Sequence, residues 1–306
     1  MTVNAAFDAG ELTQFKRAMV DTYDYSAADL DKLFEQAEYR QKIIDAISRP
    51  AERLPWHKYK NIFLQEDRIA AGVDYWKTHA DTLARAEQEY GVPAEIIVAI
   101  IGVETRYGRH AGNYRVVDAL ATLGFNYPPR AKFFRQELEQ YLILTREQSV
   151  DPLSIKGSYA GAMGIPQFIS SSYRNYAIDF NDDGQIDLWN DHVDAIGSVA
   201  NYFSRHGWRP GEPVIYKTIQ QPDDAKKWLS EGLKPDRQFA ELCAAGFEVD
   251  ARIDDAAAIT VLRFEQSDAE EIWLGRDNFY VITRYNHSPL YALAVYKLAQ
   301  AIKSRR

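Results

Sequence analysis

Apolar residues along most of this chain recur every three or four positions, the spacing of a helix with one buried face. The stretch 92–109 breaks that rhythm. Ile96, Ile97, Val98, Ala99, Ile100, Ile101 and Val103 leave no polar side, and a helix that is apolar all round lies inside a core. Pro93 suits its first position and Gly108 the residue past its end. Amphipathic helices are expected on either side of it: 7–23, 28–47 with Ser26 as cap, 66–90, 116–123, 130–147, 193–206 and 288–302. Pro50 and Pro55 interrupt the first group, and the aromatic and basic run 56–63 precedes the next.

From Pro210 the texture changes. Segments 214–219, 247–249, 258–264 and 271–285 carry the β-branched and aromatic runs expected of strands, with a short helix around 223–231. The pattern predicts a mainly α protein with a small β subdomain, an α+β class. The expected segments are an N-terminal helical piece over 1–52, a helical core over 53–210 and 276–306, and a mixed β subdomain over 211–275.

Composition narrows the partners. The 306 residues carry 36 basic and 44 acidic side chains, a net charge of −8, which argues against nucleic acid because phosphate binding needs a basic surface. The 19 tyrosines and 6 tryptophans suit sugar rings and cores equally. Cys243 is the only cysteine, so an internal disulfide and a cysteine-rich metal site are excluded. No apolar run approaches the roughly 18 residues that span a membrane, and residues 1–7 do not read as a signal peptide.

Three stretches carry candidate chemistry. Glu104 follows the apolar run directly, so a carboxyl group arrives at the edge of a core. Desolvation there raises a carboxyl pKa, with Arg106 and Arg109 opposing if they point at it, and a carboxylic acid held protonated is what a general acid needs. The plainer alternative is that Glu104 ends a helix and pairs with an arginine. The uncharged stretch 157–167 is dense in Gly and Ala, which permits close approach of a packed helix or of a ligand to the main chain. Finally, 179–190 places Asp179, Asn181, Asp183 and Asp187 at positions 1, 3, 5 and 9 of an EF-hand-like loop, with Gly184 at 6, Gln185 at the backbone-carbonyl position 7 and Ile186 at 8. Position 12 is Asn190, which lacks a carboxylate, so Asp191 or Asp194 is needed for closure. The alternative is an acidic turn that binds no metal.

The order of Glu104-Thr105-Arg106-Tyr107-Gly108, the 157–167 stretch, the 179–194 loop, DAIGSVANYF at 194–203 and TRYNHSPLYA at 283–292 resembles the membrane-bound lytic transglycosylase B family of bacterial cell-wall enzymes, glycoside hydrolase family 103. The likeness runs from about residue 56 to residue 291. It implies a lysozyme-like core with Glu104 as sole catalytic acid and base. It places Ser158, Met163 and Gln167 in the glycan cleft, with Tyr59, Arg130, Tyr202, Tyr285 and Asn286 as matching binding positions. It also implies structural calcium held by Asp179, Asn181, Asp183 and Gln185, closed by Asp194, and no organic cofactor. The implied reaction cleaves the β-1,4 bond between N-acetylmuramic acid and N-acetylglucosamine and leaves a 1,6-anhydro end, by exo or endo action. The implied partners are peptidoglycan strands and other cell-wall enzymes, with no nucleic acid and a monomeric state, in a Gram-negative periplasm, soluble or lipid-anchored. Two other readings remain open: a hydrolytic muramidase, for which Asp118 or Glu137 would be the second carboxylate, and a calcium-dependent glycan-binding protein without turnover.

Overall fold

The computed structural model describes residues 7–49 and 54–306. In chain order the helices are α1 (Ala9–Tyr23), α2 (Ala27–Gln36), α3 (Gln41–Ile47), α4 (Trp56–Phe63), α5 (Glu66–Thr78), α6 (Ala80–Tyr90) and α7 (Ala94–Thr105). There follow β1 (Tyr114–Arg115), α8 (Val116–Asn126), α9 (Ala131–Glu147), β2 (Lys156–Gly157), α10 (Ser170–Tyr176) and α11 (His192–Arg205). The remainder comprises β3 (Ile215–Gln220), β4 (Arg237–Gln238), α12 (Phe239–Ala244), β5 (Glu248–Val249), β6 (Ala258–Glu265), β7 (Glu270–Gly275), α13 (Asp277–Tyr285) and α14 (Pro289–Lys303). The expected class, mainly helical with a small β portion, is what the chain adopts. It divides into two compact units, one of Met1–Pro50 with Gly108–Ala195 and one of Ala51–Tyr107 with Ile196–Arg306. These units cut the chain along different lines from the three segments expected above.

In the first unit, α8 is buried along nearly its whole length and packs on α3 and α9. Phe15, Phe34 and Phe125 meet edge to face at 5.7–6.1 Å, tying α1 and α2 to α8. The expected single helix over 28–47 is broken. Ala37 is extended, and the Glu38 and Arg40 N–H groups donate to Asp118 Oδ1 at 2.8 Å and Thr122 Oγ1 at 3.1 Å on α8. Polar side chains of a neighbouring helix thus take over backbone donors that a continuous helix would satisfy internally. β1 and β2 form an antiparallel ribbon with Arg115 opposite Lys156. Gly112, at φ 98°, presses on that ribbon so closely that a Cβ would fall 2.0 Å from the Gly157 carbonyl oxygen.

In the second unit α7 is the centre, packed by α5, α6 and α14. Only its two glutamates, Glu95 and Glu104, escape full burial. The strands form one antiparallel sheet in the order β4-β6-β7-β3-β5, closed over its own core of Phe239, Leu242, Phe247, Ile259 and Leu274. Three expectations are corrected here. The helix over 66–90 is two helices, interrupted at His79 (φ −112°, ψ 28°). The strand expected over 271–285 ends at Gly275 and turns into α13, because its apolar positions Phe279, Val281 and Ile282 serve a helical face. The short helix near 223–231 is a single 3-10 turn over Ala225–Trp228.

Candidate active site

The end of α7 fixes where Glu104 stands. Arg106 and Tyr107 follow in the left-handed region, at φ 49° and 64°. Their N–H groups donate to the Gly102 and Ile101 carbonyls, each at 3.2 Å, which satisfies carbonyls a helix end leaves open. Tyr107 acts as a wedge. Its hydroxyl donates to the Arg68 carbonyl at 2.9 Å and occupies space that a side chain at Gly72 or Gly102 would fill, with ideal Cβ atoms only 2.5 and 2.6 Å away. Arg68, buried and set against the Phe63 ring, donates from Nη1 to the Gly102 carbonyl at 3.1 Å. A cation at this point also complements the negative end of the helix dipole. Arg106 is engaged by Asp67 and Arg109 is exposed.

Glu104 meets a group of tyrosines. Tyr291 donates from its hydroxyl to Glu104 Oε1 at 2.5 Å. It is delivered by the first turn of α14, where Pro289 opens the helix and Ser288 Oγ accepts from the Tyr291 N–H. Burial, and next the charge of Glu104, hold the Tyr285 and Tyr291 hydroxyls protonated well above the usual phenol range. Both therefore remain donors at any physiological pH. Tyr202 lies 4.9 Å from Tyr285, ring to ring, donates to the Arg284 carbonyl at 2.6 Å and stacks on His206 at 4.0 Å. Tyr59 is 1% exposed, so it can only shape this group from behind, whereas Tyr285 and Asn286 are half-buried. Tyr291 was missed in reading the sequence. Its only signal there was a place in the TRYNHSPLYA match, since a tyrosine on an apolar helix face reads as core.

The other expected binding residues fall in the first unit. Ser158 Oγ accepts from the Ala160 and Ala162 N–H groups at 3.2 and 3.0 Å, folding the small-residue stretch back on itself. Gln167, left-handed at φ 50°, donates from Nε2 to the Ala111 and Gly164 carbonyls, both at 3.0 Å. Met163 is fully buried, so its role is to fill the core beneath this stretch. Arg130 is exposed, its guanidinium 4.4 Å from the Phe133 ring.

The acidic loop has the expected sharp turn at Gly184, φ 89°. Asp179 accepts from the Asp183 and Gly184 N–H groups at 3.1 and 2.7 Å, Asn181 Oδ1 also accepts from Asp183, and Asp183 accepts from Gln185 at 2.9 Å. These oxygens gather about one turn, a hard donor set of the kind calcium takes. Asp194 is buried and accepts from the Phe180 and Asp187 N–H groups, while Asp191 accepts from the Asn181 amide at 2.8 Å. Among the described residues no three His, Cys, Asp or Glu side chains converge as a metal cage. Asp118 and Glu137 are committed elsewhere. Asp118 takes two bonds from Arg115, and Glu137 accepts the N–H and hydroxyl of Ser171 at 2.9 and 2.7 Å, with burial pushing its pKa up.

The chain belongs to the family described as Transglycosylase SLT domain, whose model matches residues 8–300. Within it, the chain is similar to the membrane-bound lytic murein transglycosylase B of Escherichia coli K12, 43% identical over 303 residues, covering 96% of this chain and 82% of that protein. It also matches the crystal structure of soluble lytic transglycosylase SltB1 from Pseudomonas aeruginosa, with 52% identity, a TM-score of 0.91, and 96% and 99% of the two chains covered. A third relative is the E. coli lytic transglycosylase Slt35 solved in complex with calcium, with 43% identity, a TM-score of 0.89, and 97% and 93% covered.

The Tyr107 wedge makes a prediction against helix propensity. Replacing a helical Gly by Ala ordinarily stabilises by about 1 kcal/mol. Gly102→Ala is instead expected to destabilise by roughly 1–3 kcal/mol, the scale of overpacking, in a denaturant melt. A stabilised variant would show that the wedge yields freely.

Proposed function

We propose that this chain is a lytic transglycosylase of bacterial murein, with Glu104 as both acid and base. The supporting observation is a carboxyl group at the end of an apolar helix, held by a buried tyrosine donor, while Asp118 and Glu137 are bound into their own networks. Glycosidases that hydrolyse need two carboxylates flanking the scissile bond. A lytic enzyme manages with one because the nucleophile belongs to the substrate.

Glu104 protonates the glycosidic oxygen between N-acetylmuramic acid and N-acetylglucosamine, and the N-acetyl carbonyl steadies the charge developing at C1. The resulting carboxylate then removes the proton from the C6 hydroxyl, which attacks C1 and closes the 1,6-anhydro ring. Intramolecular attack has a large proximity advantage over free water. Tyr291 holds one oxygen of Glu104 in place through both steps, and Tyr285 and Asn286 offer the polar edge a sugar meets. Ser158, Gln167 and Arg130 are assigned to glycan contact on the strength of the resemblance, with Tyr59, Tyr202 and Met163 as supporting packing.

Glu104 and its tyrosine neighbours all fall in the segments 53–210 and 276–306. We assign catalysis to those and an accessory role to 1–52 and 211–275. A periplasmic setting follows from the substrate. No helix among the described residues is long and apolar enough to cross a membrane, which fits either a free or a lipid-anchored form there.

Calcium is assigned to the 179–194 loop, with Asp179, Asn181, Asp183, the Gln185 carbonyl and Asp194 as its ligands, and the role is structural. The E. coli relative solved with calcium and the clustered oxygens support this. An ion that binds the folded state at a hundred times its Kd adds about 2.7 kcal/mol to stability. Chelation is expected to lower the melting temperature by several degrees, with recovery on adding calcium back. An unchanged melt with turnover abolished would reverse the assignment.

The proposal as a whole is tested by digesting purified murein and weighing the muropeptides. Products are expected to end in anhydromuramic acid, one water lighter than reducing ends. Ordinary reducing ends would identify a hydrolase instead.

A further inference from the structure

The end of α11 gathers three rings, Tyr202, Phe203 and His206. Residues four apart on a helix share one side of it, so His206 comes to lie over Tyr202. The His206 N–H donates to the Tyr202 and Phe203 carbonyls at 3.1 Å each, and the Trp208 N–H donates to the Phe203 carbonyl at 3.0 Å, with Gly207 between them at φ 88°. Backbone bonds around a left-handed glycine already close this helix end.

His206 adds a side-chain bond that the closure does not need. Its Nδ1 lies 2.7 Å from the Tyr202 carbonyl oxygen. A carbonyl only accepts, so Nδ1 carries the hydrogen. Burial, with the Arg284 guanidinium acting in the same direction, holds the imidazole below the usual histidine range against the pull of that carbonyl. Near neutral pH the ring is therefore the uncharged Nδ1–H tautomer. It lies almost flat on Tyr202, 4.0 Å between centroids and 23° between planes.

Tyr202 passes the constraint on. Its ring tilts against Tyr285 at 4.9 Å, and its hydroxyl donates to the Arg284 carbonyl at 2.6 Å. Arg284 lies in the last turn of α13, where carbonyls lack a partner further along the helix. The bond thus pins the backbone from which Tyr285 and Asn286 project. Phe203 backs the same Tyr285 ring at 5.8 Å and 28°. A hydrogen bond weakens steeply off its angle, so the hydroxyl keeps the α13 end in place only while the Tyr202 ring is held flat against the imidazole. Tyr285 in turn feels the charge of Glu104, which brings the series of contacts to the reacting carboxyl group.

We infer that His206 is a positioning residue for the reaction: its imidazole, stacked on Tyr202, fixes the end of α13 so that Tyr285 and Asn286 meet the sugar beside Glu104. The inference rests on the enzymatic reading above and adds to it a residue outside the sugar-facing set.

The test combines kinetics with NMR of the whole protein. Each variant is assayed on murein at a temperature where its melt shows it folded. His206→Ala is expected to lower kcat about tenfold with KM little changed, because a bound sugar out of line with the acid reacts slowly. His206→Phe, which keeps a flat face under Tyr202, recovers most of the loss. Tyr202→Phe removes the hydroxyl, and the His206→Ala/Tyr202→Phe double variant is expected to be no slower than the slower single variant, as for two residues acting along one route. Without turnover, the Tyr285 ring resonance, assigned by Tyr285→Phe, is expected to move in His206→Ala and to return in His206→Phe, and the His206 ring shifts to report the Nδ1–H tautomer. An unchanged kcat in His206→Ala, additive losses in the double variant, a stationary Tyr285 signal or an Nε2–H tautomer overturns the inference. A wild type that cleaves no murein sinks the enzymatic reading instead, and the two NMR readouts still decide whether His206 holds Tyr285.

Discussion

Everything that places Glu104 depends on the burial of α7 on all sides. Its isoleucines and valines each contribute roughly 1.5–3 kcal/mol by leaving water. Against this stand two left-handed non-glycine residues immediately after the helix, at roughly 1–2 kcal/mol each. The core wins by a wide margin, so the chain accepts the strain and stops the helix one residue past the glutamate. Tyr107 and Arg68 lock the stop, the first by filling the space beside Gly72 and Gly102 and the second by bonding the Gly102 carbonyl.

That mechanical stop has a chemical consequence. A carboxyl group on a mobile loop would sample water freely, whereas one on the last turn of a fully packed helix has few ways to move. The Tyr291 hydroxyl then fixes one of its oxygens, and the same burial that makes the site rigid keeps both nearby phenols protonated. Preorganised donors of this sort cost no reorganisation when charge appears on the carboxylate. The sheet stands apart from this logic, organised around its own local core.

Much of this was legible in the sequence because its signals are local. An apolar run without a polar face can only be a central helix, and Gly184 among spaced oxygens can only be a tight turn. The helix start at Ser26 was equally plain, since capping needs only one hydroxyl in place. What failed to show depends on distant partners. The break at 37–40 is held by Asp118 and Thr122, some 80 residues away, and nothing in 28–47 announces them. The helical fate of 277–285 was hidden because its β-branched and aromatic residues read as a strand until packing chose their period. Tyr291 lay beyond reach for the same reason: its meaning comes from the carboxyl group it faces.

The account stands or falls on Glu104. The most direct measurement is turnover and glycan binding by Glu104→Gln, which keeps the shape and the hydrogen-bonding edge but cannot exchange a proton. The account predicts that murein cleavage drops by several orders of magnitude while glycan affinity stays within a few-fold of wild type. Cleavage at near wild-type rate would contradict it and leave a helical protein whose half-buried glutamate is only a structural feature.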